Sequence, residues 1–132
     1  MINKFYDPLA LQPGSNERLY TSTRDIYLFR LADTYLLAAE AYFKMGQLDK
    51  AAEKINVVRR RAAVAGQSLD ITPAAVTIDF ILDERARELA GEYKRWLDLK
   101  RTRRLGRAFE HNILTKMANP AGVVDKYYLR PI

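Results

Sequence analysis

The sequence predicts an all-α protein of four or five helices arranged as helical hairpins, and three observations predict it. Apolar residues recur at steps of three and four along most of the chain, which is the periodicity of amphipathic helices. Gly46 interrupts this pattern and leaves only Gly46 and Gln47 between two helical segments, so these two helices must be antiparallel neighbours. Thr72-Pro73 then provides a second helix start, with a hydroxyl at the cap and proline at the first helical position.

Length and composition set the class of the protein. A chain of 132 residues with 48% hydrophobic content is the size of one domain and can bury a core. No apolar run approaches the roughly 18 residues of a membrane-spanning helix. The absence of cysteine excludes disulfides, thiolate metal sites and a cysteine nucleophile. The segment from Lys94 to Arg107 holds seven basic residues and one acid, so it carries the whole net charge of +6.

The first predicted helix follows a loop-rich segment. Residues 1–22 contain two prolines and a Gly-Ser-Asn run without periodicity. Ser22 and Asp25 resemble a capping box, and the helical pattern extends from Ile26 to Met45. Its two apolar stripes merge into an arc roughly 200° wide, which predicts packing against neighbours on two sides.

The second helix completes a hairpin of recognisable spacing over residues 26–64. With Gly46 at the turn, large, small and aromatic residues occupy the positions that a tetratricopeptide unit requires. Ala63 stands where that repeat has its closing proline. We therefore predict one tetratricopeptide-like hairpin, and its characteristic positions are Tyr35, Ala39, Tyr42, Gly46, Ala51 and Ile55.

The second helical part is predicted to cover residues 73–112. A linker at residues 66–70 precedes the helix that starts at Thr72-Pro73, and Gly91 ends or bends that helix. A shorter helix contains Tyr93, Trp96 and Leu99, and a last helical piece covers residues 102–110. An extended tail follows at residues 113–132, so residues 23–132 form a single helical domain.

The most unusual segment is ERARELAGEYKRWLDLKR, from Glu84 to Arg101. On a helix, Arg85 falls on the apolar stripe, so its guanidinium is predicted to be partly buried and to need a carboxylate partner. Glu88, Glu92 and Asp98 are the nearest candidates. Trp96 offers a flat face for an arginine, although a single tryptophan beside Leu97 and Leu99 is more often a core residue than a sugar platform.

Several functions are disfavoured by the residues themselves. Glu88 and Glu92 are one helical turn apart, but no nucleophile or metal ligand accompanies them, which disfavours acid–base catalysis. The basic cluster Lys100 to Arg107 lacks interleaved aromatics and matches no groove-reading motif, which disfavours nucleic-acid binding. His111 is the only histidine and is expected to be a surface residue. No cofactor, metal site or catalytic residue is predicted.

Three segments in a fixed order resemble the C-terminal part of the SusD/RagB family, which comprises outer-membrane lipoproteins on the cell surface of Bacteroidetes-type bacteria. These are the segments beginning RDIYLFRLADTYLLAAEAYFKMG and ITPAAVTIDFILDERARELAGEYKRWLDLKRT, and the tail YYLRPI. The resemblance covers residues 24–132, and Glu84 to Arg101 resembles its most characteristic signature. It implies a scaffold network of ion pairs and an aromatic residue, formed by Arg85, Glu88, Glu92, Arg95, Trp96 and Asp98.

The resemblance also implies a function. Members of the family bind nutrients, typically glycans, and partner a SusC-like TonB-dependent transporter, with their sugar-binding residues mostly outside these helices. The signal peptide, lipidation cysteine and long preceding segment of the family do not occur in this sequence, so we expect a C-terminal fragment or a truncated relative. Self-association is expected to cover apolar surface that such a fragment leaves exposed.

Two hypotheses follow from the sequence. In the first, the chain is a non-enzymatic scaffold portion of a SusD-like outer-membrane protein. In the second, it is a free-standing tetratricopeptide-like adaptor whose basic patch holds an anionic partner, with binding that falls steeply as salt rises.

Overall fold

The computed structural model describes Asp25 and residues 27–106, and this part of the chain is helical without any strand. Four α-helices follow one another: α1 (Leu31–Lys44), α2 (Leu48–Ala62), α3 (Ile78–Glu88) and α4 (Arg95–Arg101). A 3-10 turn at Pro73–Ala75 precedes α3. The all-α prediction is confirmed. The predicted loop-rich segment 1–22, His111 and the predicted tail 113–132 lie outside the described residues, as does the part of the predicted last helical piece that follows residue 106.

Helix α1 begins later than the periodicity predicted. The predicted helix started at Ile26, but Arg30 is extended (φ −142°, ψ 162°) and the first helical residue is Leu31. Leu28 and Phe29, which lie within the helix predicted from Ile26, are exposed. Apolar spacing alone does not start a helix. Here the extended backbone at Arg30 accompanies a side chain that reaches Glu88 at the end of α3.

The turn after α1 follows the prediction closely. Gly46 adopts a left-handed conformation (φ +74°), in which a residue with a Cβ is strained. The amide nitrogens of Gly46 and Gln47 donate to the carbonyls of Phe43 and Tyr42, at 3.0 and 2.9 Å, and so bond carbonyls of the last turn of α1. The chain then reverses directly into α2.

Helices α1 and α2 share the core of the protein. Small residues at the contact, including Ala39, Ala51 and Ala52, are buried and allow close packing of the two helices. Leu36 and Ile55 fill the space between them without exposure to solvent. Tyr35 and Tyr42 pack partly buried against this cluster. The two helices form the predicted pair, while its detailed tetratricopeptide-like geometry stays a prediction.

Helix α3 also begins later than predicted. Thr72-Pro73 starts only the short 3-10 turn, because Val76 returns to an extended conformation (φ −76°, ψ 111°). The true cap is Thr77, whose hydroxyl accepts a hydrogen bond from the amide of Phe80 at 3.0 Å. Ile81 and Leu82 are then fully buried on the face of α3 toward the core.

The connection from α3 to α4 contains two left-handed residues. Gly91 (φ +78°) lies just beyond α3, as the sequence predicted, and Tyr93 (φ +58°) follows it. Tyr93 was predicted to belong to the fourth helix, but it precedes this helix, because α4 begins at Arg95. Leu99 is buried in α4, whereas Trp96 and Leu97 are exposed.

The longest helix in the described residues is α2, with 15 residues. Within this part of the chain, no helix combines the length and the apolar character needed to cross a membrane.

Candidate functional site

Two acidic side chains of α1 are buried on the face that packs against the other helices. Asp33 and Glu40 are each only 3% exposed. They lie seven residues apart, which is two helical turns, so both point to the same side as Leu36. Buried carboxylates are stable only when they are paired or hydrogen-bonded. Their partners come from α3 and α4.

Arg85 of α3 connects α1 to α4. Its Nη2 lies 2.7 Å from Oδ1 of Asp33, and its Nε donates to Oδ2 of Asp98 at 2.7 Å. All three side chains are almost completely buried. Breaking such a buried pair by removing one partner typically costs about 3–5 kcal/mol, because an uncompensated charge stays behind. Arg85 therefore locks three helices to one another.

Arg101 of α4 extends this network to Glu40. Its Nη1 and Nη2 each donate to a carboxylate oxygen of Glu40 at 2.6 Å, and its Nε and Nη2 also bond Oδ1 of Asp98. Lys44 adds a contact to Glu40 at 2.8 Å. Burial by itself would raise the pKa of Glu40, but the hydrogen bonds from Arg101 and Lys44 outweigh it and lower the pKa to about 2. The same bond to Glu40 raises the pKa of Arg101.

A second ion-pair group surrounds Arg30, just before α1. Its Nε bonds both carboxylate oxygens of Glu92 at 2.8 and 3.0 Å, and its Nη1 bonds Oε1 of Glu88 at 2.6 Å. Its Nη2 donates to the backbone carbonyl of Glu88. Arg61 of α2 reaches the same Glu88 oxygen at 2.7 Å. Burial would lower the pKa of Arg30, but the hydrogen bonds that it donates to Glu88 and Glu92 outweigh this effect and raise the pKa.

A third group joins α2 to α3 at a surface groove. The buried carboxylate oxygen Oε2 of Glu84 lies 2.7 Å from Nη1 of Arg59 and 2.6 Å from Nη2 of Arg87. The guanidinium carbons of these two arginines lie 5.7 and 5.8 Å from the ring centre of Phe80, within cation–π range. These side chains line a groove of about 550 Å³, together with Ala62, Leu69 and Glu88.

The basic segment 94–104 is largely engaged within the protein. Lys94 donates to the carbonyl of Leu28 at 2.6 Å. Arg95 donates to the carbonyl of Leu82 at 2.7 Å. Arg104 lies 3.7 Å from Asp79. With Arg101, four of the seven basic residues of the predicted patch therefore contact carbonyls or acids of this chain.

The structure distributes the predicted signature residues over several places. Asp98 is the one of the three predicted partners that binds Arg85, whereas Glu88 and Glu92 bind Arg30 instead. The expectation that Trp96 is a core residue is wrong, because its side chain is 59% exposed. Trp96 lies on the outer side of α4, while the adjacent Asp98 and Leu99 face the core.

Sequence reasoning missed the residues that complete these networks. Asp33 and Glu40 stand within the apolar stripe of α1, and an acid at such a position is the signal that could have identified them. Arg30 gave no comparable signal, since it belonged to a predicted helix face and its partners are 58 and 62 residues away.

The described residues hold no group of three or more acidic or histidine side chains placed to bind a metal ion. Their charged side chains instead form arginine–carboxylate pairs that bridge helices. The geometry is that of a structural network in a helical scaffold.

Comparison with known proteins identifies the class to which this scaffold belongs. Residues 1–130 match the SusD family, so the chain is a member of the SusD family. This match covers nearly the whole sequence and agrees with the resemblance carried by the three segments.

Two curated relatives come from Formosa agariphila. The SusD-like protein P38 is 41% identical over 85 residues, which are 59% of this chain and 17% of P38. The SusD-like protein P2 is 32% identical over 125 residues, which are 89% of this chain and 24% of P2. The chain thus spans between about a sixth and a quarter of the length of these relatives. No solved structure matches it significantly.

Proposed function

We propose that this chain is the helical scaffold portion of a SusD-like outer-membrane protein that binds nutrient glycans. The observation that carries the proposal is the position of Arg85, which is 3% exposed and paired with Asp33 and Asp98 from two other helices. A charged signature directed at a substrate would face solvent or a cleft. Arg85 of this signature instead lies between helices and pairs with their acids.

The role proposed for the scaffold is to hold a rigid surface for a TonB-dependent transporter. Membership of the SusD family supports this partner. The ion pairs that join α1, α3 and α4 support the rigidity of the scaffold. Ion pairs between helices are suited to this task, since they fix helices in one relative position through directional contacts. The glycan would be held by parts of the protein outside these helices.

The proposed function is non-enzymatic. Glu88 and Glu92, the carboxylate pair considered from the sequence, both bind Arg30. This geometry supports a structural role for both acids.

The adaptor hypothesis receives less support. It requires cations that are free to meet an anionic partner, but Lys94, Arg95, Arg101 and Arg104 contact groups of this chain. Binding of a short acidic peptide that falls steeply with salt would favour the adaptor over the scaffold.

Affinity purification tests the transporter contact. A tagged SusD-like protein that contains this chain is expressed in its host and extracted with a mild detergent. We expect a TonB-dependent transporter to co-purify, and its absence under conditions that preserve other outer-membrane complexes would contradict the proposal.

A glycan array tests where the ligand binds. The complete SusD-like protein and the present chain are applied to the same array at equal concentrations. We expect retention of the complete protein alone. Equal retention of the isolated chain would show that these helices hold the glycan site, and the scaffold role would then be wrong.

A further inference from the structure

A short segment before α1, residues 27–30, is fastened to the helices by two cations, and we call this segment the strap. One cation is Arg30 itself, whose guanidinium binds two carboxylates at and just beyond the end of α3. The other is Lys94, whose Nζ donates to the carbonyl of Leu28 at 2.6 Å. The strap therefore lies against the end of α3 and the connection from α3 to α4.

Apolar burial contributes little to this attachment. Tyr27, Leu28 and Phe29 are each between 74% and 77% exposed. Within the described residues, no backbone–backbone hydrogen bond holds any of these three residues. The ring centre of Phe29 lies 3.8 Å from Nζ of Lys94, so this contact belongs to one of the two cationic fastenings. Detachment of the strap would expose little additional apolar surface and would return conformational freedom to its backbone.

Two of the groups that hold the strap have further partners among the helices. Oε1 of Glu88 also lies 2.7 Å from Nη2 of Arg61 on α2. Nζ of Lys94 lies 3.6 Å from Oδ2 of Asp33 on α1. Both groups would keep a counter-charge after detachment, which lowers its cost, because a buried charge that loses every partner is the expensive case.

The contacts that hold the four helices together do not involve the strap. Leu36 and Ile55 fill the core between α1 and α2. Arg85 joins α3 to α1 and α4 through two buried ion pairs. Proteins open locally at free energies below that of global unfolding, and segments with few buried apolar contacts open most readily. The strap is a segment of this kind.

The connection that holds the strap also contains a strained residue. Tyr93 has a left-handed backbone conformation (φ +58°), which is uncommon for an aromatic residue, and its side chain is 94% exposed. Its two neighbours, Glu92 and Lys94, both contact the strap. Such strain persists only where the surrounding contacts maintain it, and it is typical of switch regions. Detachment of the strap would release the contacts on both sides of Tyr93.

We propose that the strap detaches from the end of α3 and the following connection while the four helices stay folded. The residues before position 27 are joined to the helices through the strap, so the strap is a movable joint between the helical scaffold and the chain that precedes it. The inference concerns a motion within this chain and is independent of the glycan and of the transporter.

Cleavage of the full 132-residue chain by chymotrypsin tests the proposal, because a protease must surround the segment that it cuts. Mass spectrometry measures the rates of cleavage after Tyr27 and Phe29 across low urea concentrations, and a short peptide substrate corrects for protease activity. We expect rates that do not change with urea until circular dichroism shows loss of the helices, because local detachment exposes little surface. Rates that rise with urea as steeply as global unfolding would overturn the proposal.

Two variants each remove one fastening of the strap. Arg30→Gln and Lys94→Met should both speed cleavage at these bonds about tenfold or more, as expected for the loss of hydrogen bonds to or from a charged group, and still without dependence on urea. Arg60→Gln is the control, since it removes an exposed ion pair with Asp70 that does not involve the strap, and should leave the rates unchanged. Circular dichroism verifies that each variant is folded.

The variants also exclude direct cleavage of the attached strap. If the protease cut the strap without detachment, neither fastening would control the rate. Unchanged cleavage in both Arg30→Gln and Lys94→Met, or equal acceleration by Arg60→Gln, would therefore overturn the proposal.

Discussion

The guanidinium of Arg85 and the carboxylate of Asp98 meet at 2.7 Å in the interior of the protein, thirteen residues apart in the chain. Arg85 also pairs with Asp33, and Asp98 also pairs with Arg101. Arg85 and Asp98 thus each pair with a residue of another helix. The alternating charges form a network that runs from Asp33 through Arg85, Asp98 and Arg101 to Glu40. Stability and pH dependence should both reflect this network.

Removal of Arg85 should destabilise the fold strongly. Arg85→Met keeps an apolar stem of similar length but leaves Asp33 and Asp98 buried without their shared cation. We expect a loss of about 3–5 kcal/mol in the free energy of unfolding, measured by urea denaturation at neutral pH. Arg87→Met, two residues further along α3, removes an exposed guanidinium and should cost less than about 1 kcal/mol. Similar losses for both variants would mean that burial does not determine the effect.

Glu40 should make the stability of the protein depend on acidic pH. Its pKa falls from an ordinary 4.5 to about 2 in the folded state, so the stabilisation is present above pH 4.5 and is lost as pH falls toward 2. Glu40→Gln should therefore be about 2 kcal/mol less stable than the parent at neutral pH, a difference that nearly disappears near pH 2. Thermal unfolding across this pH range measures it.

The exposed Glu53 provides the matched control for this experiment. It lies on α2 and contacts only the adjacent Lys54 among the ion pairs of the described residues. Glu53→Gln should leave the pH profile parallel to that of the parent. A Glu40→Gln profile that is also parallel would show that the lowered pKa contributes nothing to folding.

Asn56 should control the order of the connection between α2 and α3. Its amide donates to the carbonyl of Ile71 at 3.0 Å, and its Oδ1 accepts from the amide of Ile71 at 2.8 Å. Asn56→Ala leaves both backbone groups without these partners and should cost about 2 kcal/mol. Hydrogen exchange at the Ile71 amide should become at least about tenfold faster.

The exposed Gln67 in the same connection serves as the control for Asn56. Gln67→Ala should leave exchange at Ile71 unchanged. Unchanged exchange in Asn56→Ala would show that the connection is held by other contacts, such as that between Arg60 and Asp70.

Trp96 should contribute little to the stability of the monomer. Its side chain lies on the outer side of α4, so Trp96→Ala should change the free energy of unfolding by less than about 1 kcal/mol in dilute solution. Leu82→Ala, at a fully buried position of α3, should cost about 2–5 kcal/mol under the same conditions. A loss of similar size for Trp96→Ala would restore the sequence-based view of this tryptophan as a core residue.

The sequence determined the class of fold, the hairpin at Gly46 and the family, because these depend on local spacing and on recognisable segments. Helix periodicity identifies a buried stripe from neighbouring residues, and a left-handed turn needs a glycine at one position. The buried location of Arg85 was predictable for the same reason, since it follows from the place of this residue on the stripe of its own helix.

Only the tertiary structure decided which charges meet. Arg30 binds acids 58 and 62 residues away, and Glu40 binds Arg101 across 61 residues. An ion pair depends on distances of a few ångströms between atoms, whereas the sequence specifies only order along the chain. The same limit explains Trp96, whose exposure depends on the rotation of α4 against the core and on no property of the tryptophan itself.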